Sequence, residues 1–200
     1  MKKILIAIPT AKNIEAQTFI SIYNLKIPEG YDTDFQCFYG YSIDQVRNLI
    51  ASYTLKNNYD YLFCIDSDIN LNNPEILEIL LNHDKDIVGG VYRQRNLDKI
   101  IPEVFFSTPN GGCRNATIEE INMCNGLIPV DSIGFGCVLI KKEVLEKIPY
   151  PHFYYQHSID FKDTISEDVY FCRKARFHGF ETYCDTTIRP GHIGSFEINM

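Results

Sequence analysis

The chain has no long apolar run, no paired cysteine spacing and no surplus of basic residues, and each absence closes a class of function. Nothing in its 200 residues approaches the roughly 20 consecutive apolar residues of a membrane helix, so no span is expected. The start MKKILIAIPT sets charge before an apolar piece, but that piece ends at Pro9, too short for a signal peptide; it reads as a first strand. The cytoplasm is the expected location. The 7 cysteines, at positions 37, 64, 113, 124, 137, 172 and 184, are odd in number with no CxxC pair, which disfavours a zinc site or a disulfide framework and fits reduced thiols. A formal charge of −7 disfavours tight nonspecific binding to nucleic acid, which needs excess Lys and Arg, although a local basic patch would survive that average. Asn115-Ala116-Thr117 matches a glycosylation acceptor but, without secretion, carries no meaning. No repeat, low-complexity tract or linker divides the chain, so one domain over 1–200 is expected.

What the chain does have, in its first half, is apolar runs alternating with segments of helical period, the pattern of a sheet wound with crossover helices. Ile4 to Ile8 reads as a strand, Asn13 to Asn24 as a helix and Phe35 to Tyr39 as a second strand. Ser42 and Gln45 have the spacing of a capping box for a helix to about Lys56, whose apolar face is Ile43, Val46, Leu49, Ile50 and Tyr53. Tyr61 to Ile65 is a continuous apolar run, as in a strand covered on both faces. Asn73 is placed to cap a short helix through Leu81, and Asp86 to Val91 reads as a fourth strand. From Tyr92 to about Asp131 the period weakens, and loops with an irregular β-arm are expected. The pattern returns in a glycine turn that leads to the strand ending at Ile140, a short helix over 142–147, an aromatic segment PYPHFYYQH, a helix from Ser166 to His178 stopped by Gly179, and a strand from Glu181 to Cys184.

Three features carry possible chemistry. Asp66 and Asp68 flank Ser67 at the carboxyl end of a buried strand, where sheets of this kind place ligands; two hard oxygen ligands there suit Mg²⁺ or Mn²⁺, and the competing account is that they cap a turn. Glu167 and Asp168 lie in the first turn of a helix, which favours acids through its dipole whatever their role. His192, near the end, is either a hydrogen-bonded surface residue or a ligand.

Taken in order, these features resemble the GT-A glycosyltransferases, and within them the small proteins of glycosyltransferase family 2. The resemblance covers nearly the whole chain: the strand ILIAIPT, the segment DQVRNLIAS, the element CIDSDI, the element VDSIGFGCVLIKKEVLEKI and the run SEDVYFCRKARFHGFETYCDTTIRPGHIG, which looks like the family's ED-bearing helix, a strand and a terminal metal-binding histidine. It implies an α/β fold: a single GT-A (Rossmann-like nucleotide-diphospho-sugar transferase) domain with a mixed, mostly parallel sheet flanked by helices. About 1–92 would bind the nucleotide sugar, and about 93–200 would hold the acceptor and the catalytic groups.

The implied activity is metal-dependent transfer of a sugar from a UDP- or GDP-sugar to a hydroxyl acceptor: a glycan, a lipid-linked glycan, a protein or a modified nucleic acid. The resemblance assigns Asp66 to the ribose or the metal, Asp68 and His192 to the metal, and Asp168 to the acceptor's proton as base, with Glu167 as alternate or as orienting group. Mixed carboxylate and imidazole ligands tilt the metal toward Mn²⁺, with Mg²⁺ as the other choice. A helix start lowers an acid's pKa, so a working base at Asp168 requires burial or substrate contacts to offset it. Pro9, Thr10, Ala11 and Ser67 fall where the nucleotide is expected. Arg47 is placed either to reach the base or phosphates or to lie solvated on its helix, while Arg93 and Arg95 are placed to pair with diphosphate. Gly134 and Gly136 either leave room for donor sugar or acceptor or make a tight turn. Tyr154 and Tyr155 either stack on a sugar and close over it or belong to the core. Two other readings compete: a noncatalytic sugar-nucleotide-binding module, and a sugar nucleotidyltransferase. The second is disfavoured because PTAKNIEAQ, after the first strand, has no glycine and a single Lys12.

Overall fold

The computed structural model describes residues 1–40, 42–96, 98–157 and 164–194. The first half runs β1 (Lys2–Thr10), α1 (Ala16–Tyr23), β2 (Tyr31–Tyr39), α2 (Ile43–Lys56), β3 (Tyr61–Ile65), β4 (Ile69–Asn70), α3 (Ile76–Asn82) and β5 (Ile87–Gly90). The second half runs β6 (Val104–Ser107), β7 (Cys113–Asn115), α4 (Ile118–Met123), β8 (Leu127–Val130), β9 (Ser132–Ile133), β10 (Cys137–Lys141), α5 (Lys142–Lys147), β11 (Gln156–His157), β12 (Thr164–Ile165), α6 (Glu167–Phe177), β13 (Thr182–Asp185) and β14 (Gly191–His192).

The main sheet has the order β2-β1-β3-β10-β5-β13-β8. β2, β1 and β3 pair in parallel, as do β5 and β13, while β10 is wedged antiparallel between β3 and β5 and β8 pairs antiparallel with β13 at the edge. This is the mixed, mostly parallel sheet that was expected. Its apolar strands are continuous because both faces are covered. Leu5, Ala7, Leu62 and Cys64 point to one core, shared with Val46 and Ile50 of α2, Val144 of α5 and Phe171 of α6. Ile4, Ile6, Phe63 and Ile65 point to the other, shared with Leu77 and Leu80 of α3.

Several boundaries differ from expectation for local reasons. α1 begins at Ala16, because Thr10 Oγ1 bonds the Asn13 carbonyl and the Glu15 amide bonds the Ser67 carbonyl, which hold the preceding loop out of the helix. The box of Ser42 and Gln45 does not form: Ser42 caps α2 only by backbone, and its hydroxyl is turned to the Asp44 carboxylate. Asn73 bonds the Glu75 amide just ahead of α3 rather than capping it, and Ser166 makes no side-chain cap on α6. Gly179, at φ 88°, ends α6 as expected. The irregular arm exists as the small sheet β7-β6-β9, but it also holds α4, which starts with a complete capping box of Thr117 and Glu120. Among the described residues no helix is long and apolar enough to cross a membrane.

Candidate active site

The turn after β3 is closed by the far end of the chain. β14 pairs with β4 so that His192 lies opposite Ile69, and the Ile193 amide donates to the Asp68 carbonyl at 2.8 Å. This brings His192 Nε2 to 3.5 Å from Asp68 Oδ1, while Arg95 Nη1 sits 2.9 Å from Asp68 Oδ2. His192 Nδ1 lies 2.8 Å from the Arg93 carbonyl. A carbonyl only accepts, so Nδ1 carries a hydrogen and the neutral ring turns the lone pair of Nε2 toward Asp68. Burial opposes ionisation of Asp68, but the His192 contact and the Arg95 charge outweigh it and hold its carboxyl below the ordinary 3.8. Burial likewise works against protonation of His192, and Asp68 with the Arg93 carbonyl more than offsets it, so its pKa lies above 6.5.

Pro9, Thr10, Ala11, Asp66, Ser67, Asp68, Arg95 and His192 line one cleft of about 300 Å³. Eight expected residues, drawn from both ends of the chain, thus meet in one place. Ile43 and Val46 of α2 form its apolar wall; their helical spacing had marked them only as core. Arg93 stands apart from that lining. Its carbonyl orients His192.

Behind the cleft lies a second group of charges. Arg47 is not solvated: its side chain is 3% exposed. It projects from α2 between the end of β3 and the start of α6, with Nη2 3.1 Å from Asp66 Oδ1 and Nε 3.2 Å from both Glu167 Oε1 and Asp168 Oδ1. One guanidinium therefore faces three carboxylates. Asp168 Oδ2 also accepts from the Phe135 amide at 3.1 Å. Burial pushes the Asp168 carboxyl well above 3.8, and the neighbouring Glu167 and Asp66 add to this against the opposing pull of Arg47. The helix start does not hold it low. Asp66 is raised in the same way, with Arg47 again the opposing charge. Burial raises the pKa of the Tyr155 hydroxyl, and the nearby Glu167 carboxylate adds to it, so it stays neutral.

The glycine turn is closely packed from behind. A Cβ on Gly134 would lie 2.3 Å from the Tyr92 hydroxyl, and one on Gly136 2.8 Å from the Tyr92 ring. The clearance at both is filled by Tyr92, whose hydroxyl accepts from the Gly136 amide at 3.1 Å and whose ring stands edge-on to His192. Tyr92 thereby fixes the β9–β10 turn, whose Phe135 amide holds Asp168, against the histidine of the cleft. Glu103, on the arm, is a further acid on this side; burial raises it, against the opposing pull of the Gln94 side chain and His192. Nothing in the irregular stretch marked it in advance. Tyr154 is half exposed against Tyr170 and lines a separate groove.

Among the described residues no group of three or more His, Cys, Asp and Glu is arranged to hold an ion. The pair Asp68 and His192 nevertheless fits one. Two ligands each about 2.1 Å from a Mg²⁺- or Mn²⁺-sized ion stand roughly 3.0–3.4 Å apart, and such ions take one or two protein ligands with the rest from phosphates and water. The observed separation is 3.5 Å, with the imidazole already oriented by its other nitrogen.

Comparison with known proteins agrees with the fold. The protein-family model Anp1, a glycosyltransferase-family domain, matches residues 33–103, about a third of the chain, from β2 through the DxD to Glu103. No curated protein matches by sequence. The crystal structure of A197 from STIV matches with a TM-score of 0.65 and 22% identity over 98% of this chain and 87% of that one. A structure of GalNAc-T7 with UDP, GalNAc and Mn²⁺ matches with a TM-score of 0.62 and 12% identity, over 98% of this chain but 44% of that one. The chain has the GT-A glycosyltransferase fold.

Proposed function

We propose that the protein is a metal-dependent glycosyltransferase that moves a sugar from a nucleotide-diphosphate donor to a hydroxyl acceptor with inversion. The observation that carries this reading is Arg47, which joins Asp66 of the donor turn to Glu167 and Asp168 of the acceptor side in one buried group. A sugar held between them would have leaving diphosphate on one side and a base on the other.

The donor's nucleotide lies along Pro9–Ala11 and the apolar wall of Ile43 and Val46, with Asp66, oriented by Arg47, toward the ribose. Asp68 and His192 hold Mn²⁺ or Mg²⁺. When bound there, the cation supplies the charge that steadies the diphosphate as the glycosidic bond breaks. Arg95, exposed and now paired with Asp68, is free to turn to phosphate oxygens, which guanidinium forks match. Asp168 takes the proton of the acceptor hydroxyl as that oxygen attacks the anomeric carbon. Its raised pKa suits a group that must gain a proton. Glu167, held by Arg47, positions the acceptor.

Calorimetry with UDP- and GDP-sugars tests the donor side: binding is expected to require Mn²⁺ or Mg²⁺ and to be lost in Asp68→Ala. Equal binding by that variant would remove the metal assignment.

A further inference from the structure

The helix that carries Arg47 has a second concave flank. Ile43 and Val46 face the donor cleft, whereas Asp44, Gln45, Asn48, Leu49 and Ser52 line a separate groove of about 570 Å³ whose far wall is the segment Tyr150–Tyr154.

That wall is built, not draped. The Asn48 amide donates to the Phe153 carbonyl at 2.7 Å, and its oxygen accepts from the amides of His152 and Phe153. Lys174 donates to the carbonyls of Pro149 and Pro151, and the Phe153 ring stacks on Phe171 at 4.6 Å. Two aromatic rings then stand out of a fixed wall, Tyr150 at 73% and Tyr154 at 51% exposed. Opposite them are polar groups with capacity to spare. Gln45, which the unformed capping box leaves unused, and Ser52 make no side-chain hydrogen bond among the described residues.

This lining selects its occupant. No Lys or Arg lines the groove and Asp44 does, so an anion is a poor guest. Amide, hydroxyl and carboxylate along one side make it a poor channel for a lipid tail. A pyranose suits both walls: its C–H face lies on a tyrosine ring while its rim of hydroxyls meets Gln45, Ser52 and Asp44. The groove also lies beside the helix that carries the base, because Tyr154 packs edge-on against Tyr170 and Phe153 stacks on Phe171, both on α6, which begins with Glu167 and Asp168. We infer that this groove is a saccharide site and receives the glycan chain of the acceptor. Its placement as acceptor site rests on the proposed transfer reaction; its binding of saccharide does not.

The test is a titration of the full chain, without donor, with trisaccharides of glucose, galactose, mannose and N-acetylglucosamine, read by saturation-transfer and protein-observed NMR. At least one is expected to bind, with affinity about tenfold weaker in Tyr150→Ala and in Gln45→Ala, a loss of ~1.4 kcal/mol. Tyr23→Ala, on an exposed residue of α1, should keep full affinity, and thermal melting should confirm that all three variants are folded. No binding by any trisaccharide, or an equal effect of all three substitutions, would overturn the proposal. A separate UDP titration of the wild-type chain with Mn²⁺ judges the donor reading, so either can fail alone.

Discussion

Asp68 and Asp168 belong to one site and have been pushed in opposite directions. Asp68 sits at the mouth of the cleft, where an imidazole and a guanidinium keep its carboxyl below the ordinary value. Asp168 sits deeper, where burial and two further acids crowd one shared guanidinium and drive it up. Environment thus divides two chemically identical side chains into one that stays charged, as a cation's ligand must, and one able to accept a proton. Arg47 keeps the inner group from being untenable. It offsets one of three charges, and the excess that remains is what raises the base.

Removing that single cation is the hardest blow to the comparison. Arg47→Met should destabilise the chain by about 3–5 kcal/mol, as for a buried group left without its counter-ion; urea unfolding near neutral pH measures it. Asp168→Asn comes next: metal-dependent donor turnover should fall by about 10²–10⁴ while calorimetry finds donor binding intact. On the outer side, His192→Ala should weaken Mn²⁺-dependent nucleotide binding by at least about tenfold, with Asp168-dependent steps unaffected once donor is saturating.

The smallest effect has a definite sign. A carboxyl raised in the folded state contributes stability fully below its unfolded pKa, and that contribution is lost as pH rises through the folded value. Asp168→Asn, neutral throughout, should therefore gain over the wild-type chain as pH rises above 3.8. A gain near 1 kcal/mol would appear as about 2–4 °C in melting temperature for a chain of this size. A difference that does not change between pH 4 and pH 8 would mean that Asp168 is not strained by its burial.

Much of the fold was legible because its signals are local. β1, β3 and β10 are continuous apolar runs, and the pairs Asp66/Asp68 and Glu167/Asp168 sit at an element's end or start. What escaped depends on packing between distant segments. Arg47 reads either as a contact to the donor or as a solvated helix arginine, and its burial among three carboxylates shows only once α2 is laid against α6 and the end of β3. Gly134 and Gly136 read as room for a ligand or as a tight turn, and neither reading names Tyr92 as the ring packed against them. The two capping boxes are instructive, since Ser42-x-x-Gln45 and Thr117-x-x-Glu120 have the same spacing. Asp44 captures the Ser42 hydroxyl, whereas Arg114 grips both oxygens of Glu120 and steadies it for the box. A third side chain decides each case, by competing in one and supporting in the other, and a pattern of two positions does not report it.

The split between the two aspartates is open to direct measurement. A ¹³C NMR titration of the side-chain carboxyls in the metal-free chain, assigned with Asp68→Asn and Asp168→Asn, reads both values at once. The account predicts Asp168 titrating well above 3.8 and Asp68 below it. Asp168 titrating at or below that value would contradict the assignment of the base.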